Sequence, residues 1–86
     1  MNKKFSCPCC GFYTFPEKPP GTYMICPVCY WEDDRLQFED PFFEGGANSV
    51  SLEQAKKNFK IFSAISEEFK NRVRLPTREE KTPTKS

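Results

Sequence analysis

The sequence predicts a small α+β fold, in which a β-hairpin carrying two cysteine knuckles is followed by one or two helices packed against it. Three observations predict it. Cys7-Pro8-Cys9-Cys10 and Cys26-Pro27-Val28-Cys29 are two C-x₂-C pairs separated by fifteen residues. Two β-prone runs, residues 12–15 and 22–25, lie between the pairs on either side of a proline-rich turn. An amphipathic segment with a capping sequence opens at Ser51.

Eighty-six residues make one domain, expected over residues 1–76, with residues 77–86 a disordered polar tail. A chain this short buries a modest share of its surface, and metals, disulfides or oligomerisation usually supply the missing stability. The five cysteines are the candidates for that staple, while nine Phe, three Tyr and one Trp supply large apolar areas to a thin core. Disulfides are not expected. No apolar run follows Lys3 and Lys4, so no secretory signal is expected, and no stretch approaches a membrane span. A reducing cytoplasm keeps thiols free, and an odd number of cysteines would strand one in any case.

Metal ligation explains the spacing. Two cysteines three apart on a tight turn aim both sulfurs at one point, and the amides that follow can donate to the first thiolate. Pro8 and Pro27 preset the turns, and Gly11 permits the positive φ that closes the first. Two such knuckles make a tetrahedral S₄ shell with bonds of about 2.3 Å, closed to solvent and therefore structural. The candidate ligands are Cys7, Cys10, Cys26 and Cys29, the expected fold is a zinc ribbon, and zinc is the expected metal. Iron also accepts four thiolates, and a rubredoxin-like electron carrier is the alternative. Tyr30 stands where the first knuckle has Gly11, so the second knuckle is expected to be strained or differently shaped. Cys9 offers a competing pair with Cys7, but C-x-C makes a poorer turn. Cys9 itself reads either as a small buried apolar residue or as a redox-active thiol beside the metal. The chain has no histidine, hence no histidine-based triad, and no acid pair stands out; an enzyme is not expected.

The remaining elements follow in order. Pro20-Gly21 suits the two central positions of a type II turn joining the β-prone runs. Trp31 is expected in the core over the metal site. Residues 32–50 read as irregular, with Glu32-Asp33-Asp34 a solvated acidic loop and Gly45-Gly46 a turn. Leu36, Phe38, Phe42 and Phe43 are expected to fold that loop back onto the ribbon. Ser51-Leu52-Glu53-Gln54 is a capping box, and Leu52, Ala55, Phe59 and Phe62 repeat at helical spacing to form a buried stripe. Glu53 and Lys57 can pair on the opposite face, where Lys56 and Lys60 are expected to be solvated. Near Ile65 the phase slips, and Ser66 then caps a second, shorter helix or the first continues with a kink. Pro76 ends regular structure.

The net charge of +1 conceals an asymmetry. Residues 1–50 carry four basic and seven acidic side chains, a balance of −3, whereas residues 51–86 carry nine and five, a balance of +4. A Zn²⁺ held by four thiolates makes the first half about two charges more negative still. Zinc ribbons that bind nucleic acid do so through a basic face, and here the metal half is acidic. The expected partner is therefore another protein. Nucleic-acid binding would fall to the basic C-terminal half.

These residues also resemble a known family. Cys7-Pro8-Cys9-Cys10-Gly11, Pro20-Gly21, Cys26-Pro27-Val28-Cys29, Trp31-Glu32-Asp33-Asp34, Gly45-Gly46-Ala47-Asn48, the Ser51-Leu52 helix start and Val73-Arg74 are similar to the bacterial cysteine-rich CPCC family. The resemblance spans most of the chain. It implies a zinc-binding protein, with an aromatic at the position of Tyr30, and it implies no activity.

Overall fold

The computed structural model describes residues 4–82. Strand β1 (Phe5–Ser6) pairs antiparallel with β2 (Tyr13–Phe15), followed by a short helix α1 (Arg35–Glu39), helix α2 (Leu52–Phe62) and two 3₁₀ turns at Glu67–Phe69 and Glu79–Lys81. No helix among the described residues is long and apolar enough to cross a membrane.

The expected single hairpin is replaced by two, each wrapped around its own knuckle. Phe5 lies opposite Phe15 and Ser6 opposite Tyr13, with an irregular register between them, and the Cys7–Gly11 turn joins the strands. The second run pairs instead with residues beyond the second knuckle. Tyr23 N–H donates to Asp33 O at 3.0 Å, Asp33 N–H to Met24 O at 2.9 Å, and Ile25 bridges Glu32. The reason is local. Each C-x₂-C turn already reverses the chain, so its flanks meet after closing a very short loop. Pro16, Pro19 and Pro20 meanwhile deny the intervening segment backbone donors for a ladder.

The core gathers around the cysteines. Phe15, Val28, Trp31, Leu52, Ala55 and Ile65 are buried with them, and Phe12, Tyr30, Val50, Phe59 and Phe69 pack against this cluster. Trp31 is fully buried, as its place beside Cys29 suggests. Helix α2 docks the expected face: Leu52 and Ala55 are buried, Phe59 and Phe62 half-buried, and the Phe59 ring meets Phe12 edge-on at 6.3 Å. Its start is half a capping box. Ser51 Oγ accepts from Gln54 N–H at 3.1 Å, but the Gln54 amide turns away to Asn58. Glu53 and Lys57 do not pair; ion pairs among the described residues include Arg35–Glu39, Lys70–Glu67 and Arg74–Glu80.

The phase slip near Ile65 marks the end of α2. Ser63 adopts a left-handed conformation with φ 60°, and the reversed chain delivers Ile65 N–H to Cys29 O at 2.9 Å. The second helix expected after Ser66 is only a 3₁₀ turn, and Ser66 makes no side-chain cap. Phe69 in that turn stacks on Tyr30 with ring centroids 4.5 Å apart.

The tail expected from Thr77 begins differently. Thr77 Oγ1 accepts from Glu80 N–H while Glu80 Oε1 accepts from Thr77 N–H, a reciprocal capping box that the Thr77-Arg78-Glu79-Glu80 sequence carried as a signal. Arg74 donates to both Glu80 carboxylate oxygens at 2.8 Å, its N–H reaches Pro27 O, and the turn packs against β2. Residues 83–86 of the expected tail lie outside the described residues.

Arg74, with the Thr77 donors, holds the Glu80 carboxyl down at about 2. A depressed carboxylate stabilises the fold above its ordinary value near 4.5, and that contribution is lost as pH falls from there through about 2. Solvent screening limits the pair to about 1 kcal/mol. Denaturation of Glu80→Gln beside wild type should show that gap at pH 7 and a shrinking one below pH 4.5.

Candidate metal centre

Each knuckle places two sulfurs by the same backbone device. Cys7 N–H donates to Phe12 O and Gly11 N–H to Cys7 O, at 2.8 and 2.9 Å. In the second knuckle Cys26 N–H donates to Trp31 O and Tyr30 N–H to Cys26 O, at 2.9 and 2.8 Å. Gly11 has φ 82° and Tyr30 φ 76°, so of the two outcomes expected for the second knuckle, strain is the one realised. Tyr30 takes the left-handed conformation in spite of its Cβ. Stacking on Phe69 is what the side chain gains there, and glycine could not supply it.

The two knuckles face each other across the core. The sulfurs of Cys7, Cys10, Cys26 and Cys29 all lie within 4.8 Å of one another, with Cys7–Cys29 at 3.6 Å and Cys10–Cys26 at 3.7 Å. These distances are far longer than a disulfide, and all five cysteines are free. They suit a metal. Four sulfurs about 2.3 Å from a common centre form a tetrahedron with edges of about 3.8 Å. The four cysteines are therefore positioned to bind a metal ion. Cys7, Cys26 and Cys29 are buried and Cys10 half-buried.

Electrostatics points the same way. Four thiols this close cannot all ionise without a compensating cation. Cys10 and Cys26 push the Cys7 thiol far above its ordinary range, and Cys26 and Cys29 do the same to Cys10. At Cys29 the lowering influence of Cys10 is outweighed by Cys26, Cys7 and Cys9, and it too is raised. Cys26 is driven far down instead, because Cys10, Cys29, Cys7 and Thr14 all favour its thiolate. A metal cation held there would relieve this crowding by taking all four as thiolates.

Hydrogen bonds from outside the tetrad support the sulfurs. Cys9 N–H lies 3.4 Å from Cys7 Sγ, the amide-to-thiolate contact expected of a knuckle. Thr14 Oγ1 lies 3.2 Å from Cys26 Sγ in a buried setting. Thr14 was legible only as a β-prone residue. Strand alternation from Tyr13 offered a hint of which way it faces, but nothing marked its target. Partners of this kind tune metal affinity about 10–100-fold. Thr14→Val should therefore weaken metal binding about tenfold in a chelator competition with the fold kept, and Thr14→Ser should restore it. Equal affinity for all three proteins would remove Thr14 from the site.

The other candidates divide. Cys9 is outside the tetrad and buried in the core, as the apolar reading has it. The acidic loop is a correction: Asp33 and Asp34 are buried, not solvated. Asp33 Oδ2 accepts from Thr22 N–H and Oγ1, at 2.9 and 2.8 Å, and Asp34 caps α1 through Gln37 N–H while accepting from Ala47 N–H. Gln37 and Asn48 complete this polar core. Gln37 Nε2 donates to Phe43 O and Val50 O, and its Oε1 accepts from Asn48 N–H and Nδ2. Asn48 also exchanges both its amide groups with the Glu32 backbone at 2.8 Å. Gly46 packs so closely on Gln37 that a Cβ there would lie 2.6 Å from its side chain. The aromatic loop is a second correction. Leu36, Phe38, Phe42 and Phe43 are exposed, because the polar network already anchors the loop from beneath. Beside the knuckles lies a mostly apolar groove of about 380 Å³, with Phe12, Val28, Phe59 and Leu75 in its walls.

A family model for cysteine-rich CPCC proteins matches residues 5–80. No curated protein shows a significant sequence match to the chain. The match runs from β1 to the Glu79–Lys81 turn, so it takes in both knuckles, the polar loop and α2. The chain belongs to the cysteine-rich CPCC family.

Proposed function

We propose that this protein is a zinc-ribbon module whose single zinc is structural and whose work is the binding of another protein. The observation that carries the reading is the closed, all-sulfur tetrad formed by Cys7, Cys10, Cys26 and Cys29. Four protein ligands complete a zinc shell and leave no position for a substrate or an activated water, which argues against catalysis at the metal. When bound, the ion supplies cross-linking between the two knuckles and cancels thiolate repulsion. The chain's own residues do the rest: the Cys9 amide and the Thr14 hydroxyl share the sulfur charge, and Trp31, Val28 and Ile65 pack around the cysteines. Free thiols throughout agree with a reducing cytoplasmic setting.

Two further features support a protein partner over nucleic acid. Large apolar side chains stand exposed on the loop at residues 36–43, and acidic residues surround them. Phosphates would be repelled there.

Iron is the second reading. The Cys9 amide and Thr14 hydroxyl on the sulfurs are the kind of contact that sets the potential of an iron–thiolate centre, and Cys10 reaches the surface. Metal analysis of protein purified from minimal medium separates the two. One zinc per chain in a colourless protein is the expected result; a red protein with one iron would make it a rubredoxin-like electron carrier.

A further inference from the structure

The exposed loop has a complementary surface elsewhere on the same chain. Leu36, Phe38, Phe42 and Phe43 expose 61, 40, 73 and 37 % of their surface within eight residues. Exposed apolar residues scattered singly are ordinary, but such a density marks a binding surface. The loop is also held in place. Gln37, Asn48 and Asp34 fix its backbone from below through the buried hydrogen bonds described above, so docking on it costs little ordering. Its charge is negative: Glu39, Asp40 and Glu44 against Arg35, a balance of −2 over residues 35–44, and Arg35 is already engaged by Glu39 at 3.2 Å.

Helix α2 presents the opposite. Lys56, Lys57 and Lys60 against Glu53 give +2 over residues 52–62, and all three lysines are exposed. None of them belongs to an ion pair among the described residues. Ile61, beside Lys60, is 71 % exposed, so this face is both basic and apolar. The two surfaces adjoin, since Glu53 N–H donates to Pro41 O at 2.8 Å where α2 begins.

We infer that a second copy of this chain is the partner: the acidic aromatic loop of one molecule seats on the basic outer face of α2 in the other. The contact is reciprocal. Because loop and helix adjoin, a two-fold rotation can make both contacts at once, which gives a closed, isologous dimer. Opposite charges steer the encounter and the Phe side chains leave water. The inference rests on the protein-partner reading and identifies that partner, whichever metal fills the site.

Sedimentation equilibrium of the metal-loaded full chain tests it, with metal content measured on the same samples. Wild type should dimerise, and more weakly as salt is raised. Phe42→Ser, at an exposed position, should weaken association at least tenfold while retaining its metal. Reversing the loop (Glu39→Lys, Glu44→Lys) or the helix (Lys57→Glu, Lys60→Glu) should each leave monomers. Mixing these two variants should restore a one-to-one dimer, since each half-interface again joins opposite charges. A metal-loaded wild type that stays monomeric at every concentration overturns the inference. So does a dimer that these variants leave unchanged. A monomer that binds a basic apolar peptide through Phe42 would overturn it in favour of a different protein partner. Loss of metal in wild type would instead count against the metal-module reading, which keeps the two failures distinct.

Discussion

Cys26→Ser is expected to abolish metal binding and, with it, the tertiary structure of the whole domain. Zinc contributes roughly 10–16 kcal/mol to small all-thiolate modules near neutral pH. That equals or exceeds the entire stability of an ordinary small domain, about 5–15 kcal/mol. Cys26 is fully buried, and its sulfur is the one that Thr14 Oγ1 approaches, at 3.2 Å. Cys9→Ser should keep both the metal and the fold, because the Cys9 sulfur lies outside the tetrad and its contact with Cys7 is through the backbone N–H, which serine retains. Circular dichroism and metal stoichiometry on the two variants check this together. Metal lost from Cys9→Ser but retained by Cys10→Ser would reassign the ligand set. Acid should mimic Cys26→Ser, since protons compete for the same four sulfurs.

Removing the Gln37 amide is the second large effect. All four hydrogen-bonding positions of that side chain are used, two by Nε2 and two by Oε1. Gln37→Leu strands the carbonyls of Phe43 and Val50 and the amide groups of Asn48, at about 1–3 kcal/mol for each group left buried and unpaired. A loss of about 4 kcal/mol is expected in denaturant titrations with excess metal present, allowing for partial relaxation onto water. Gly46→Ala should also destabilise the protein, because its Cβ meets the Gln37 side chain at 2.6 Å. In a Gln37→Ala background the clashing atoms are gone, and the added cost of Gly46→Ala should nearly vanish. Additive losses would mean that Gly46 acts through its backbone alone and not through Gln37. The same network sets the aromatic loop, so Gln37→Leu should also weaken any association that uses Phe42.

These expectations also separate what could be read from the chain in one dimension from what could not. The tetrad was legible because a C-x₂-C turn is a local device. Proline, the left-handed closing residue and the following amides act within five residues, so spacing alone specifies where both sulfurs point. The start of α2 at Ser51 and its Leu52/Ala55 face were legible for the same reason: a cap and a 3.6-residue period are short-range. Even the strain at Tyr30 could be anticipated from its place opposite Gly11.

The polar loop could not be read that way. Asp33, Asp34, Gln37 and Asn48 have the composition of a solvated turn, and only the fold brings Asn48 back under Glu32 and Gln37 across eleven to sixteen residues. Once Gln37 and Asn48 pair with each other and with nearby backbone, and Asp33 and Asp34 accept from Thr22, Gln37 and Ala47, these side chains can be buried, and the neighbouring Phe side chains are left outside. Hydrophobicity had assigned the two groups the other way round. Strand pairing is hidden from composition for a related reason. The composition of residues 12–15 and 22–25 marks both as β-prone, but partner choice depends on which flanks each knuckle closes first. The sequence by itself determined which four cysteines come together, the knuckles and the docked face of α2, all written in contacts a few residues apart. Only the tertiary structure decided which polar residues are buried, which aromatics are exposed and which donor reaches the Cys26 sulfur, because each depends on groups that are distant in the chain.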